Sequence, residues 1–248
     1  MSIASVSLAG GAVSNLTGRT IAIAQSLACD LVAFGFPQRC PGCGRRADPA
    51  RLLCEDCIER IPRLATVLCV RCLSRGSGPA GCLRHPGYGV HLPWLYDERA
   101  ALIVRALKYG RRPELAHRLG ETMASALPPG CRPDLVLEVP LYPTRQRERG
   151  YNQAGVLADA VASHLRAPRL AGALERIRAT RAQARLGPED RRRNVAGAIR
   201  VREPDQLAER TIVIVDDVVT TGCTLEACLA PLRACGARAT ALAVAWAQ

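Results

Sequence analysis

The sequence predicts an α/β protein: a mainly parallel sheet with helices on both faces, preceded by a small N-terminal double zinc ribbon. Three observations carry this expectation. Beyond residue 91, helix-type segments of about 12 residues alternate with short apolar strands, the pattern of crossovers between parallel strands. Residues 212–215 read Ile-Val-Ile-Val, a continuous apolar run suited to a central strand covered on both sides. Between residues 40 and 85 a pattern of two metal-ligand pairs occurs twice. A chain of 248 residues, 48 % of them hydrophobic, suffices for one or two domains.

Residues 1–36 form a start of their own. The first 15 residues read as disordered. Residues 21–34 place Leu27, Leu31 and Phe34 at helical spacing, which predicts a short amphipathic helix ending near Gly35 and Pro37. The apolar run 21–36 is broken by Gln25, Ser26 and Asp30 and falls short of the roughly 20 residues of a membrane span. Nothing basic precedes Arg19, so the charged start of a secretory signal is not seen. The expected compartment is the cytoplasm.

Residues 37–90 carry the metal pattern. Cys40 and Cys43 lie in RCPGCGRR, and Cys54 and Cys57 in LCEDCIER. Each C-x2-C pair can put two thiolates on one Zn2+ through a tight turn, which Gly42 and Gly44 ease. A disulfide pair or unpaired buried thiols are the alternatives; with no export signal, the reducing cytosol favours metal. Cys69 and Cys72, then Cys82 and His85, repeat the spacing with an imidazole as the last ligand. His85 precedes Pro86, and a solvated loop histidine is the alternative. A segment of some 50 residues with few large apolar side chains folds mainly through its metal, so one or two structural zinc ions are expected and no metal catalysis. Cys29, Cys228 and Cys235 read as small buried hydrophobes on helices, and Cys131 has no ligand spacing.

Residues 91–248 make the larger domain. A strand near Trp94 and Tyr96 is followed by a helix through ALIVRALKYG, a helix over 113–127, a strand over 135–139 and a helix over 152–165. A strand over 198–201, a strand over 211–217, a helix over 225–235 and a last strand over 239–246 complete it. Ligands of such sheets sit beyond the carboxyl ends of the strands. There the apolar run 212–215 meets Asp216 and Asp217, then the segment TTGCT and a helix. Adjacent carboxylates at a buried strand end call for hydroxyl donors or a divalent cation. Three threonine hydroxyls, a glycine and the amides of a helix N-terminus make an anion site. Together these features describe a sugar phosphate cradle; a capped helix after a core strand is the plainer alternative.

The stretch TIVIVDDVVTTGCTLEA, residues 211–227, resembles the signature of the type I phosphoribosyltransferases, which bind 5-phosphoribosyl 1-pyrophosphate (PRPP) with Mg2+. The resemblance implies that Asp216 and Asp217 hold the ribose hydroxyls and that Thr220, Thr221, Gly222, Cys223 and Thr224 wrap the 5′-phosphate. Thr220 stands where purine-salvage members carry an aspartate, which disfavours oxopurine acceptors. VPLYPTRQRERGYNQA, residues 139–154, matches the pyrophosphate loop and brings Arg145, Arg147 and Arg149; guanidinium groups there could neutralise a leaving pyrophosphate. Residues 178–201 match a mobile lid, and RALKYGRR, residues 105–112, the link between metal module and core. With paired zinc knuckles in front, the chain resembles the ComF/GntX family, whose better known members take part in DNA uptake during bacterial transformation. Ala182 and Arg185 depart from the family's lid pattern, and His85 stands where a cysteine is commoner.

Charge adds a distribution. The chain has 34 Lys+Arg against 22 Asp+Glu, net +12, with Lys108 the single lysine. So strong an arginine bias weakens inference from total charge. Residues 166–202 hold a local excess of +8, which suits a solvated face or attraction to polyphosphate or nucleic acid. Two functions are therefore weighed: a phosphoribosyltransferase, with Asp216, Asp217, Arg145 and Arg149 in catalysis and an unidentified acceptor, or a non-enzymatic module that handles single-stranded DNA or senses nucleotides. The partners implied are PRPP or a similar sugar phosphate and the DNA-uptake machinery. Lys108 is either a surface residue or an ammonium near phosphate. Asn152 and Gln153 either cap a helix or touch ligand, and Tyr151 reads as core. His91, His117 and His164 read as ordinary surface or partly buried residues.

Overall fold

A computed structural model describes residues 38–48, 51–64, 66–76, 82–178, 195 and 197–248. The expected disordered start, the helix over 21–34, Cys29 and the lid over 182–194 lie outside the described residues. In chain order the elements are α1 (Glu55–Arg60), β1 (Leu68–Cys69), β2 (Gly89–His91), β3 (Trp94–Leu95), α2 (Glu98–Tyr109), α3 (Leu115–Ala124), β4 (Leu135–Glu138), α4 (Pro143–Arg149) and α5 (Gln153–Leu165). There follow β5 (Leu174–Arg176), β6 (Ile199–Val201), α6 (Pro204–Leu207), β7 (Thr211–Val219), α7 (Cys223–Ala234) and β8 (Arg238–Trp246).

The main sheet runs β1-β2-β8-β7-β4, with β3 also on β8; every pairing is parallel except that of β1 with β2. The parallel sheet is buried on both faces because residues alternate sides along each strand. On one face Val213, Val215, Leu242 and Val244 meet α2, α3 and α5. On the other, Ile212, Ile214, Ala241 and Ala243 meet Leu225, Cys228, Leu229 and Leu232 of α7.

Local sequence explains the helices that frame the site. Asp97 caps α2 by accepting from the Ala100 amide at 2.8 Å. Ala100, Ile103, Val104 and Leu107 form its buried stripe. Pro143 opens α4, and Gly150, at φ +83°, ends it. Asn152 caps α5 through the Ala154 amide and also donates to the Val139 carbonyl at 3.1 Å.

Several boundaries differ from the sequence expectation. β7 continues through Val219 because Val218 and Val219 still pair with Ala245 and Trp246 of β8. Helix α7 begins at Cys223 instead of residue 225, so the connecting loop shrinks to 220–222. The single strand expected near Trp94 is two short strands, interrupted at Pro93, whose nitrogen has no hydrogen to donate. The helix expected over 113–127 spans Leu115–Ala124. The segment carrying the three arginines is itself helical, and β5 pairs antiparallel with β6 in a small second sheet.

The cysteine-rich segment is stitched to this frame. Its strand β1 ends at Cys69 and extends the main sheet through β2. Arg63 bridges Trp94, and Arg112 donates to the Arg39 carbonyl at 2.8 Å.

Candidate functional site

Two ligand groups assemble as their spacing anticipated. Sulfurs of Cys40, Cys43, Cys54 and Cys57 lie within 4.8 Å of one another, and so do the ligand atoms of Cys69, Cys72, Cys82 and His85. Cys43 and Cys54 sulfurs are 3.6 Å apart, as are those of Cys72 and Cys82. His85 Nδ1 sits 3.6 Å from Cys69 Sγ and 3.4 Å from Cys82 Sγ. A tetrahedron with Zn–S bonds of about 2.3 Å has edges of about 3.8 Å, whereas a disulfide needs about 2.05 Å. The donor sets therefore fit zinc, the first with four thiolates and the second with three thiolates and an imidazole. Gly42 belongs to this geometry, because a Cβ there would lie 2.9 Å from Cys57 Sγ. Burial pushes the Cys43 thiol up, but hydrogen bonds from Arg45 and Cys57 outweigh it and bring the thiol down to about 6, favouring the thiolate a metal needs. Each group offers four ligand atoms, the full complement of a closed tetrahedral zinc site.

The second centre lies beyond the carboxyl end of β4. That strand stops at Glu138 opposite Val215, while β7 continues, so residues 216–219 face an open edge. A cavity of about 170 Å³ occupies the gap, and its walls include Lys108, Arg145, Arg149, Arg176, Asp216, Asp217 and Thr224. The acid pair straddles the strand. Asp217 points toward the α2 side, where its Oδ1 lies 2.9 Å from Lys108 Nζ. Its Oδ2 is buried without a hydrogen-bond partner among the described residues. Asp216 points toward the α7 side and accepts from the Asp217 amide at 2.8 Å. Burial and the neighbouring Asp217 charge push the Asp216 carboxyl up to about 7. Burial alone would lower the Lys108 ammonium, but Asp217 and Asp216 raise it above its usual range.

The threonine-rich bend adjoins this cavity. Asp216 and residues 218–225 line a small hollow of about 20 Å³, and Thr224 faces both spaces. Gly222 caps α7 at φ +73°. Thr220 is exposed, Thr221 and Thr224 half-buried, and Cys223 buried with its thiol toward the Thr221 carbonyl at 3.7 Å. The opening amides of a 12-residue helix thus border the hollow, an arrangement that favours an anion.

Helix geometry sorts the arginines. Arg145 and Arg149 are four residues apart on α4 and share the face that lines the cavity; Arg147 falls off it. Arg149 is held by Gln153 Oε1 at 2.8 Å and by the Tyr109 hydroxyl at 3.1 Å, with its guanidinium 5.0 Å above the Tyr109 ring. Burial holds the Arg176 guanidinium below its usual range, with Arg145 adding to the effect.

Three contributors were not identified by sequence reasoning: Gln153 and Tyr109 as guides for Arg149, and Arg176 in the wall. The isolation of Lys108 among arginines was the one available signal for its place. Asn152 is a cap, and Tyr151 donates its hydroxyl to the Leu107 carbonyl. His91 is buried, more than expected, and Cys228 is buried as a small hydrophobe. Among the described residues no helix is long and apolar enough to cross a membrane.

Comparison with known proteins agrees with this geometry. Residues 152–248 match the family described as phosphoribosyl transferase domain. The chain is 34 % identical over 201 residues to DNA utilization protein YhgH of Escherichia coli O157:H7, covering 78 % of this chain and 83 % of that protein. It is 31 % identical over 206 residues to DNA utilization protein YhgH of Salmonella typhimurium, covering 79 % and 80 %. Competence protein F of Haemophilus influenzae is 38 % identical over 95 residues, 38 % of this chain and 42 % of that protein. Paired ligand groups in front of a phosphoribosyltransferase-type sheet, in a chain alike to the two YhgH proteins over most of its length, place it in the ComF/GntX family of competence and DNA-utilization proteins.

Proposed function

We propose that the protein binds PRPP with Mg2+ in the cavity beyond β4 and transfers the phosphoribosyl group to an acceptor in DNA uptake or utilization. The observation that carries this reading is the convergence of Asp216, Asp217 and Thr224 with a helix N-terminus and two aligned arginines on one cavity. The buried, unpartnered Oδ2 of Asp217 supports it, because a lone acceptor at that depth is costly until a donor or cation arrives.

In this reading Asp216 and Asp217 accept hydrogen bonds from the ribose hydroxyls. The amides that open α7, with the hydroxyls of Thr221 and Thr224, receive the 5′-phosphate. Arg145 and Arg149 face the pyrophosphate and stabilise charge as the C1–O bond lengthens toward an oxocarbenium-like state. Lys108 pairs with Asp217 and holds it in place. Mg2+ bound with PRPP would supply charge neutralisation on the diphosphate. Titration calorimetry with PRPP and Mg2+ tests the reading: binding by the wild type and its loss in Asp217→Ala are expected. No heat from the wild type, or equal binding by the variant, overturns it.

The names of the relatives and one contact favour a second reading. Tyr88 lies beneath Arg71 at 4.7 Å and Arg233 at 5.5 Å, a cation-lined ring of the sort that meets single-stranded bases. Micromolar affinity for oligo-dT with a steep salt dependence, unchanged by PRPP, would favour a DNA-handling module.

A further inference from the structure

The second metal knuckle and the phosphate loop are in backbone contact. Gly222 adopts φ +73°, and a Cβ on it would lie 2.1 Å from the carbonyl oxygen of Val70 and 2.9 Å from the Val70 Cα. Val70 is the first residue inside the Cys69–Cys72 turn and is fully buried. Its amide donates to the Tyr88 carbonyl at 2.9 Å. The next residue, Arg71, reaches across to Glu226 in the first turn of α7, with Nε 2.8 Å from Oε1. The loop that borders the anion hollow is therefore pressed from behind by the two residues between a pair of metal ligands.

We propose that the second zinc centre positions the phosphate loop: metal on Cys69, Cys72, Cys82 and His85 holds the Val70 carbonyl against Gly222 and so keeps the α7 amides aimed at the hollow. This rests on the reading of 220–224 as the phosphate site. The physical reason is rigidity. A C-x2-C turn is closed by its ion, and without metal the two thiols no longer constrain the intervening peptides. Loop amides that must converge on one anion lose affinity when their support moves, because their preorganisation is lost. The first centre supports a different element: Gly42 lies against Cys57 and Ile103 of α2, away from the loop.

Hydrogen exchange read by mass spectrometry, without PRPP, tests the coupling on the full chain. Two variants are compared, Cys72→Ser with Cys82→Ser, and Cys43→Ser with Cys54→Ser; loss of one zinc from each is verified by elemental analysis. Exchange over 220–224 is expected to rise about tenfold or more in the first variant and to stay at the wild-type rate in the second, with 212–215 protected in both. PRPP affinity should fall about tenfold or more only in the first. Unchanged exchange over 220–224 overturns the proposal. Should the first variant unfold throughout, Glu226→Gln, which keeps both metal sites, decides: exchange over 220–224 raised about threefold supports the coupling, and an unchanged rate overturns it. If the wild type fails to bind PRPP, the proposed function is lost while the exchange result still answers whether knuckle and loop are coupled.

Discussion

Lys108 Nζ lies 2.9 Å from Asp217 Oδ1, and the carboxylate is only 6 % exposed, so the sole lysine of the chain neutralises the deeper acid of the pair. The pair joins two distant segments: the last turn of α2, a helix that packs on the first cysteine group through Ile103, and the end of β7.

Removing one partner of so buried a pair leaves an uncompensated charge, which costs about 3 kcal/mol or more. Lys108→Met should lower the unfolding free energy by that order in urea denaturation. Lys108→Met with Asp217→Asn should recover most of the loss, because both charges are then gone. Equal stability of wild type and single variant would show that the pair contributes nothing.

Asp216 sets a pH dependence. Its folded value, about 7, lies above its ordinary value of 3.8, so between those limits the native state binds more protons than the unfolded chain. Stability therefore falls as pH rises from about 4 to about 7 and levels off above. The groups setting this balance are Asp217 on its own strand, Lys108 on α2, Arg176 on β5 and Cys228 on α7. Asp216→Asn should be more stable than wild type at pH 8, by roughly 2–4 kcal/mol, and the difference should shrink toward pH 4. Chemical denaturation at three pH values reads this directly.

Arginine placement makes a contrast between neighbours. Arg145→Ala should weaken binding of pyrophosphate or PRPP about tenfold, the scale of one charge-assisted contact, or about 1.4 kcal/mol. Arg147→Ala, off the cavity face, should stay within about twofold. Fluorescence-competition or calorimetric titration of both variants distinguishes face from mere charge, since each change removes one positive group.

Metal content should be two zinc ions per chain by elemental analysis of the purified protein. Cys57→Ser should remove one ion. It should also loosen residues 38–60, because Cys57 is buried between the Gly42 turn and α2. Chelation of both ions should lower the melting temperature by about ten degrees or more, given how much of a small module's folding free energy comes from its metal. A chain that melts at the same temperature after complete zinc removal would contradict the structural role.

Much of the site was legible because its signals are local. The C-x2-C spacing dictates which sulfurs meet, and the run from Ile212 to Thr224 encodes strand, acid pair and helix start within thirteen residues. Gly222 and the loop threonines were visible for the same reason. Boundaries were harder: nothing within residues 217–225 tells that β8 is long enough to draw Val218 and Val219 into the sheet. Arg145 and Arg149 were named from the sequence without Arg147, but the reason for the separation was not visible while the segment was read as a loop: on α4 the helical phase puts Arg145 and Arg149 on the cavity face and Arg147 off it. Gln153 and Tyr109 act through Arg149, and their value depends on where α2 and α5 meet.

By itself, then, the sequence determined which residues form the two possible metal-ligand sets and the order of strand, acid pair, threonine loop and helix over 211–227, because each rests on spacing within one short stretch, and the alternation of helices and strands beyond residue 91 determined the mainly parallel α/β architecture. The tertiary structure alone decided that Lys108 answers Asp217, that the two aspartates look to opposite sides of β7, and that the Cys69–Cys72 turn packs through Val70 against Gly222. Those relationships join residues far apart in the chain, and such distances close only when both faces of the sheet are buried and the helices have settled on them.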